Sequence, residues 1–120
     1  MKTIIFILII GTLTCYSQLS NYDTERIANA IYKVEGGTNT HYPYGIKSVV
    51  TTNPRRVCLN TIKNNYTRWL NQTNETDFIV FLADRYCPKT ADPKGNANWK
   101  RNIKKILGPT FHVDKPTSFR

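Results

Sequence analysis

The chain has 120 residues, with 17 Lys and Arg against 8 Asp and Glu, a formal charge of +9, 40% hydrophobic residues, 3 Cys, and 6 each of Gly and Pro. This length supports one globular core and is too short for two of ordinary size. An aromatic share of 12% with no recurring period excludes repeat arrays, collagen and disordered tails.

The N-terminus places Lys2 before an apolar run from Ile4 to Ile10 and then small and polar residues, the layout of a secretory signal peptide. The run is much shorter than the ~20 apolar residues of a membrane span. Cys15-Tyr16-Ser17 fits a small-x-small cleavage site, so residues 1–17 read as the signal and 18–120 as one domain, secreted or periplasmic. The alternatives are a lipoprotein bearing its lipid on Cys15, although Thr12-Leu13-Thr14 is a poor lipid box, and an uncleaved anchor. After cleavage Cys58 and Cys87 remain, an even pair compatible with a disulfide. The other reading is two unpaired thiols on helix faces. With two Cys, two His and no metal-type spacing, no metal or cofactor is expected.

Ile27, Ala30, Ile31 and Val34 recur at helical steps after the cap candidates Ser20, Asn21 and Asp23, predicting a helix over 22–35 stopped by Gly36-Gly37. Thr38 to Thr52 has no helical period and holds Pro43, Gly45 and β-branched residues, which predicts a loop with a short strand pair. Asn53-Pro54 is a cap followed by proline at the first helical position, and Val57, Cys58, Ile62, Tyr66, Trp69 and Leu70 continue a stripe, giving a helix over 54–71. Thr76 is read as the cap of a third helix through Phe78, Ile79, Phe81, Leu82, Tyr86 and Cys87, stopped by Pro88. Its near all-round hydrophobicity predicts a buried central helix. Residues 88–98 read as a turn-rich connection, and Trp99, Ile103, Ile106 and Leu107 as a last amphipathic helix ending at Gly108-Pro109. The tail from Thr110 reads as irregular. The whole is a compact, mainly α domain with a small irregular or β-hairpin lobe.

Glu35 closes the first helix directly before two glycines. The partial negative charge at a helix C-terminus disfavours an ionised carboxyl there, and a carboxyl that keeps its proton is what a general acid needs to protonate a leaving glycosidic oxygen. Gly36 and Gly37 leave room for a polymer to approach. Taken by position alone, Glu35 reads first as an exposed residue on a polar helix end, and only the resemblance that follows turns the reading toward catalysis.

The stretch Ile27 to Gly37, followed by Tyr42-Pro43-Tyr44-Gly45-Ile46, resembles the lysozyme and lytic transglycosylase superfamily, in which a helix ends in the catalytic Glu and a loop leads to a segment lining the sugar cleft. Phe81 to Tyr86, Asp92-Pro93-Lys94-Gly95, Asn98-Trp99 and Asn102-Ile103 resemble small secreted or phage-associated members of the same group. The resemblance implies a compact lysozyme-like helical fold and cleavage of the MurNAc–GlcNAc bond of peptidoglycan. Glu35 would be the catalytic residue, with Tyr42, Tyr44, Gly45 and His41 as candidate substrate contacts; the other readings are core packing for Tyr44 and a solvated loop position for His41.

Hydrolysis with two carboxylates needs a second acid about 5 to 9 Å from the first. Between Gly36 and Asn74 there is no Asp or Glu, and where phage-type lysozymes place an Asp nine residues after the Glu this chain has Tyr44. Lytic transglycosylases resemble it better, because one Glu first protonates the leaving oxygen and then accepts the proton of the muramic acid 6-hydroxyl. Asp84 reads as a polar-face residue of its helix, Asp92 as a turn residue before Pro93, and Trp99 as core. A non-catalytic lysozyme-like module binding glycan or protein is the alternative.

The formal +9 less the charge of Lys2 leaves +8, which suits a wall polyanion as partner. Lys100, Arg101, Lys104 and Lys105 have helical spacing that also suits phosphates. Predicted export and the lack of any nucleic-acid motif argue against that partner. The expected partner is therefore the peptidoglycan strand, met by a monomer with no transmembrane segment after signal cleavage.

Overall fold

In a computed structural model, residues 18–47, 50–74 and 76–115 are described. The signal-peptide reading of residues 1–17 and the lipid reading of Cys15 lie outside them. Four helices make up the described fold: α1 (Asn21–Val34), α2 (Pro54–Asn71), α3 (Phe78–Tyr86) and α4 (Pro93–Leu107), with a short 3-10 turn at Gly37–Asn39.

Each helix starts on a side-chain cap that satisfies an otherwise orphaned backbone N–H. Ser20 Oγ accepts from the Asp23 amide, Asn53 from Arg56, Asp77 from Ile79 and Val80, and Asp92 from Gly95. Pro54 and Pro93 occupy the first turns of α2 and α4, where a missing N–H costs nothing. α2 has the bounds its sequence predicts. The cap of α3 is Asp77 rather than Thr76, whose carbonyl instead accepts a 2.6 Å bond from Trp69 Nε1. The largest difference is at α4, which starts at Pro93, so most of the expected connection before Trp99 is helix.

α1 packs on α2 and α4, and α3 packs on the same two helices, which gives a closed ring of four. The expectation that α3 is a buried central helix is therefore incorrect. Phe78, Ile79, Leu82 and Ala83 are buried, but Asp84 and Arg85 are exposed, because a nine-residue helix on the ring turns only one side inward. The core consists of Ile27 and Ile31 from α1, Ile62, Tyr66 and Trp69 from α2, Phe78 and Leu82 from α3, and Trp99 and Ile103 from α4. Burying side chains of this size contributes about 1.5 to 3 kcal/mol each. Tyr66, Trp69 and Phe78 pack as an aromatic trio with ring centroids 5.4 to 5.9 Å apart.

No strand forms among the described residues, so the expected hairpin lobe is not seen there, and residues 40–47 and 50–53 are irregular. Local bonds replace a ladder there. Thr40 Oγ1 accepts from the Tyr42 amide, Thr51 Oγ1 from the Asn53 amide, and the Gly45 amide donates to Tyr42 O at 2.8 Å in a tight turn. Ser48 and Val49, part of the expected strand pair, lie outside the described residues. The tail is irregular through Lys115, whose Nζ donates to Gln72 O at 2.7 Å and sits 5.3 Å from the Trp69 ring centre. No helix among the described residues is long and apolar enough to cross a membrane.

Candidate functional site

Glu35 is the C-cap of α1, its amide donating to Ile31 O at 2.9 Å. The chain leaves the helix through Gly36 at φ 99°, a left-handed conformation that suits glycine at this position. The half-buried Glu35 side chain is held from two sides. Trp99 Nε1 donates to Oε1 at 3.0 Å from the inner face of α4. The backbone of Gly45 covers the other side so closely that a Cβ on it would lie 2.7 Å from Cδ and 2.9 Å from each carboxylate oxygen. Gly45 has φ 71°, the left-handed value its turn requires.

Trp99 is itself fixed. Its ring stacks on Tyr86 of α3, with centroids 5.3 Å and planes 14° apart. The Tyr86 hydroxyl lies 3.5 Å from Cys58 Sγ on α2. Burial is the leading cause that pushes the Cys58 thiol up to about 11 and the Tyr86 phenol well above its ordinary value. Both groups are neutral across the physiological range, so this contact is a packed, uncharged strut behind the indole.

The sequence-predicted residues separate into two sets. Glu35 and Gly45 come together as expected. Tyr44 offers only an edge to solvent, where it lines a depression with His41 and Tyr42. It is only 7% exposed, its ring packs on Tyr32 with centroids 5.2 Å apart, and its hydroxyl accepts from Arg55 Nη1 at 3.0 Å. Its role is to seat the 42–45 turn from beneath. Tyr42 and His41 are exposed and line a shallow depression of about 260 Å³ with Pro43, Val50 and Pro54. Tyr42 also lies 5.8 Å beneath the Lys47 ammonium.

The Cys58–Cys87 disulfide is not formed, and both thiols are free. Cys58 Sγ points inward to Tyr86, whereas Cys87 Sγ turns toward the start of α4, 4.0 Å from Asp92 O. Asp84 and Asp92 are engaged elsewhere, the first accepting from Asn96 Nδ2 at 3.0 Å and the second capping α4. Asp77 caps α3, Glu25 pairs with Arg55, Asp114 pairs with His112, and Asp23 sits in the opposite, first turn of α1. Among the described residues, none of these carboxylates bonds to Glu35.

Trp99 was legible as core, and it is buried, but its N–H also holds the candidate acid. Three further residues carry no local signal for their placement. Tyr86 stacks behind the site. Arg55 bridges Asn29, Tyr44 and Glu25. Arg85 shares a second depression with Gly45. All three placements depend on how separate elements of the fold meet.

No family model, curated protein or solved structure matches this chain. Its function must be read from the residues around Glu35.

Proposed function

We propose that this chain cleaves the MurNAc–GlcNAc glycosidic bond of peptidoglycan outside the cytoplasm, as a lytic transglycosylase does, with Glu35 as the single acid and base. The observation that carries the reading is the seating of one carboxyl between the Trp99 N–H and the bare backbone of Gly45, with no second carboxylate bonded to it among the described residues. The ordered resemblance to lysozyme-like sequences supports the same reading, and a lysozyme-like form of the helical fold is part of the proposal.

In this reaction the protonated Glu35 gives its proton to the leaving glycosidic oxygen as the C1–O bond breaks. The Trp99 N–H then faces a full carboxylate, and a bond to a charged acceptor is roughly twice as strong as a neutral one, so the contact strengthens as the proton leaves. The 6-hydroxyl of the same muramic acid attacks C1 and its proton passes to Glu35, which restores the acid. No water is consumed, and the product carries a 1,6-anhydro end. That no second carboxylate bonds to Glu35 among the described residues is no defect for this chemistry, because the substrate supplies the nucleophile.

The test is digestion of purified peptidoglycan by the 18–120 chain, with mass spectrometry of the soluble fragments. The expected products carry 1,6-anhydro ends, and Glu35→Gln lowers the rate by about 100-fold or more. Activity that survives Glu35→Gln rejects the role of Glu35. Reducing ends would instead mean hydrolysis.

A second reading rests on the same contact. The Glu35–Trp99 bond ties α1 to α4, which is also what a structural carboxylate would do in a lysozyme-like module that binds glycan or protein without cleaving it. Glycan binding by both wild type and Glu35→Gln, with turnover in neither, selects that reading.

A further inference from the structure

The groove beside Glu35 has an asymmetric charge. A depression of about 150 Å³ opens between the 45–47 loop, α2 and the end of α3, with Gly45, Ile46, Thr61 and Tyr86 in its walls. Two of these residues tie it to the candidate acid. Gly45 presses on the Glu35 carboxyl, and Tyr86 stacks on the indole that holds it. The remaining wall groups include Lys47 and Arg85, one from the loop and one from the last turn of α3.

Neither cation is neutralised by a described residue. Among the described residues the Arg85 guanidinium makes no ion pair, and Lys47 meets only the face of the Tyr42 ring. Among the described residues, no acidic side chain lines the depression. Both side chains are exposed, so their heads are solvated and mobile until something anionic lies between them. Thr61 contributes little recognition, because its hydroxyl already donates to Val57 O at 2.8 Å.

We propose that this depression seats an anionic substituent of the glycan, a carboxylate carried on the sugar or on its peptide arm, between Lys47 and Arg85, and so selects acidic amino-sugar polymers over neutral ones. Arg85 supplies the planar fork that matches a carboxylate with two parallel bonds, and Lys47 supplies a point charge from the 45–47 loop. The inference rests on the glycan reading of the groove and adds the chemical class of glycan it accepts. The depression and the candidate acid share Gly45, which lines the one and packs on the carboxyl of the other.

Binding tests this without turnover. Two probes are titrated against the Glu35→Gln chain: a disaccharide-peptide fragment of peptidoglycan with free carboxylates, and the same fragment with every carboxylate amidated. The free form is expected to bind about tenfold tighter, which is about 1.4 kcal/mol. The preference should shrink as salt rises, because the cations are exposed. In Arg85→Gln and in Lys47→Gln it should fall to about twofold or less while the amidated probe binds as before, and Arg85→Lys should keep part of it. Both positions are on the surface, so thermal unfolding is expected to stay within a few degrees of the parent. Equal binding of the two probes by the parent overturns the proposal, as does a preference that survives both glutamine variants or no binding of either probe. A preserved charge preference together with wall cleavage that survives Glu35→Gln would reject the catalytic role of Glu35 and leave the proposal standing. A lost preference with cleavage that still needs Glu35 would do the reverse.

Discussion

Gly45 is the residue on which the site is most sensitive to a single methyl group. Alanine there would strain a left-handed backbone by roughly 1 kcal/mol and drive a Cβ to within 2.7 Å of the Glu35 carboxyl carbon. The carboxyl is pinned on its other side by Trp99, so the turn has to move away from the acid. If the chain cleaves walls as proposed, Gly45→Ala is expected to cut that cleavage by about 100-fold while lowering the unfolding temperature by only a few degrees, read from initial rates and a circular dichroism melt. Loss of activity only in parallel with global unfolding would refute this. The sequence indicates Glu35 by its place before two glycines, and Gly45 by its motif. It misleads on Tyr44, because an aromatic residue in a turn looks the same whether its ring points to solvent or onto Tyr32. The positions of Arg55 and Arg85 follow from which helices meet, and a linear pattern of charges carries no such information.

The helix boundaries show where local chemistry suffices and where it does not. α2 is fully legible because Asn53-Pro54 and a continuous apolar stripe agree. α4 opens with the same device, Asp92-Pro93, but the first turn behind it is Lys94-Gly95-Asn96-Ala97, which has no apolar period to announce a helix. Its inward residue is Asn96, a buried amide that donates to Asp84 Oδ1 and to Cys87 O at 2.7 Å. A polar residue serving as a core residue defeats a reading based on hydrophobicity. Removing the cap should expose the dependence of that turn on it. Asp92→Ala is expected to cost about 1 kcal/mol, measured as a lower urea midpoint at unchanged slope, with amide exchange rising first at Gly95 and Asn96. An unchanged midpoint would mean that the proline and the Asn96 contacts alone hold the first turn.

At the scale of the whole molecule, stability should respond to alkaline pH through the strut behind the site. The Cys58 thiol is raised from its ordinary value of 9.0 to about 11 in the fold, chiefly by burial, with the Tyr86 phenol raised for the same leading reason. The folded chain thus keeps a proton that the unfolded chain releases above about pH 9. The contribution of this group is complete below that pH and is lost as pH rises toward 11, by about 2 kcal/mol for the thiol alone. Urea midpoints measured between pH 8 and 11 should fall for the parent chain and fall less steeply for Cys58→Ala. Equal slopes in the two chains would show that the thiol ionises as freely in the fold as outside it.

The ring of four helices also bears on the order in which the molecule comes together. Its contacts α1 to α2, α2 to α3 and α3 to α4 join neighbours in the chain, but α4 meets α1 only by closing almost the whole length, through the Arg26 bond to Leu107 O and the Trp99 bond to Glu35. That closure carries the largest entropy cost of any helix pairing in the fold. The carboxyl and its indole donor lie on opposite sides of this seam, so a nascent chain truncated before Trp99 would already contain Glu35, Gly45 and the whole 42–47 loop and still lack the assembled site. Under the proposed function, activity would begin only with the last helix in place, and a wall-cleaving chain would remain inert while its own synthesis is incomplete.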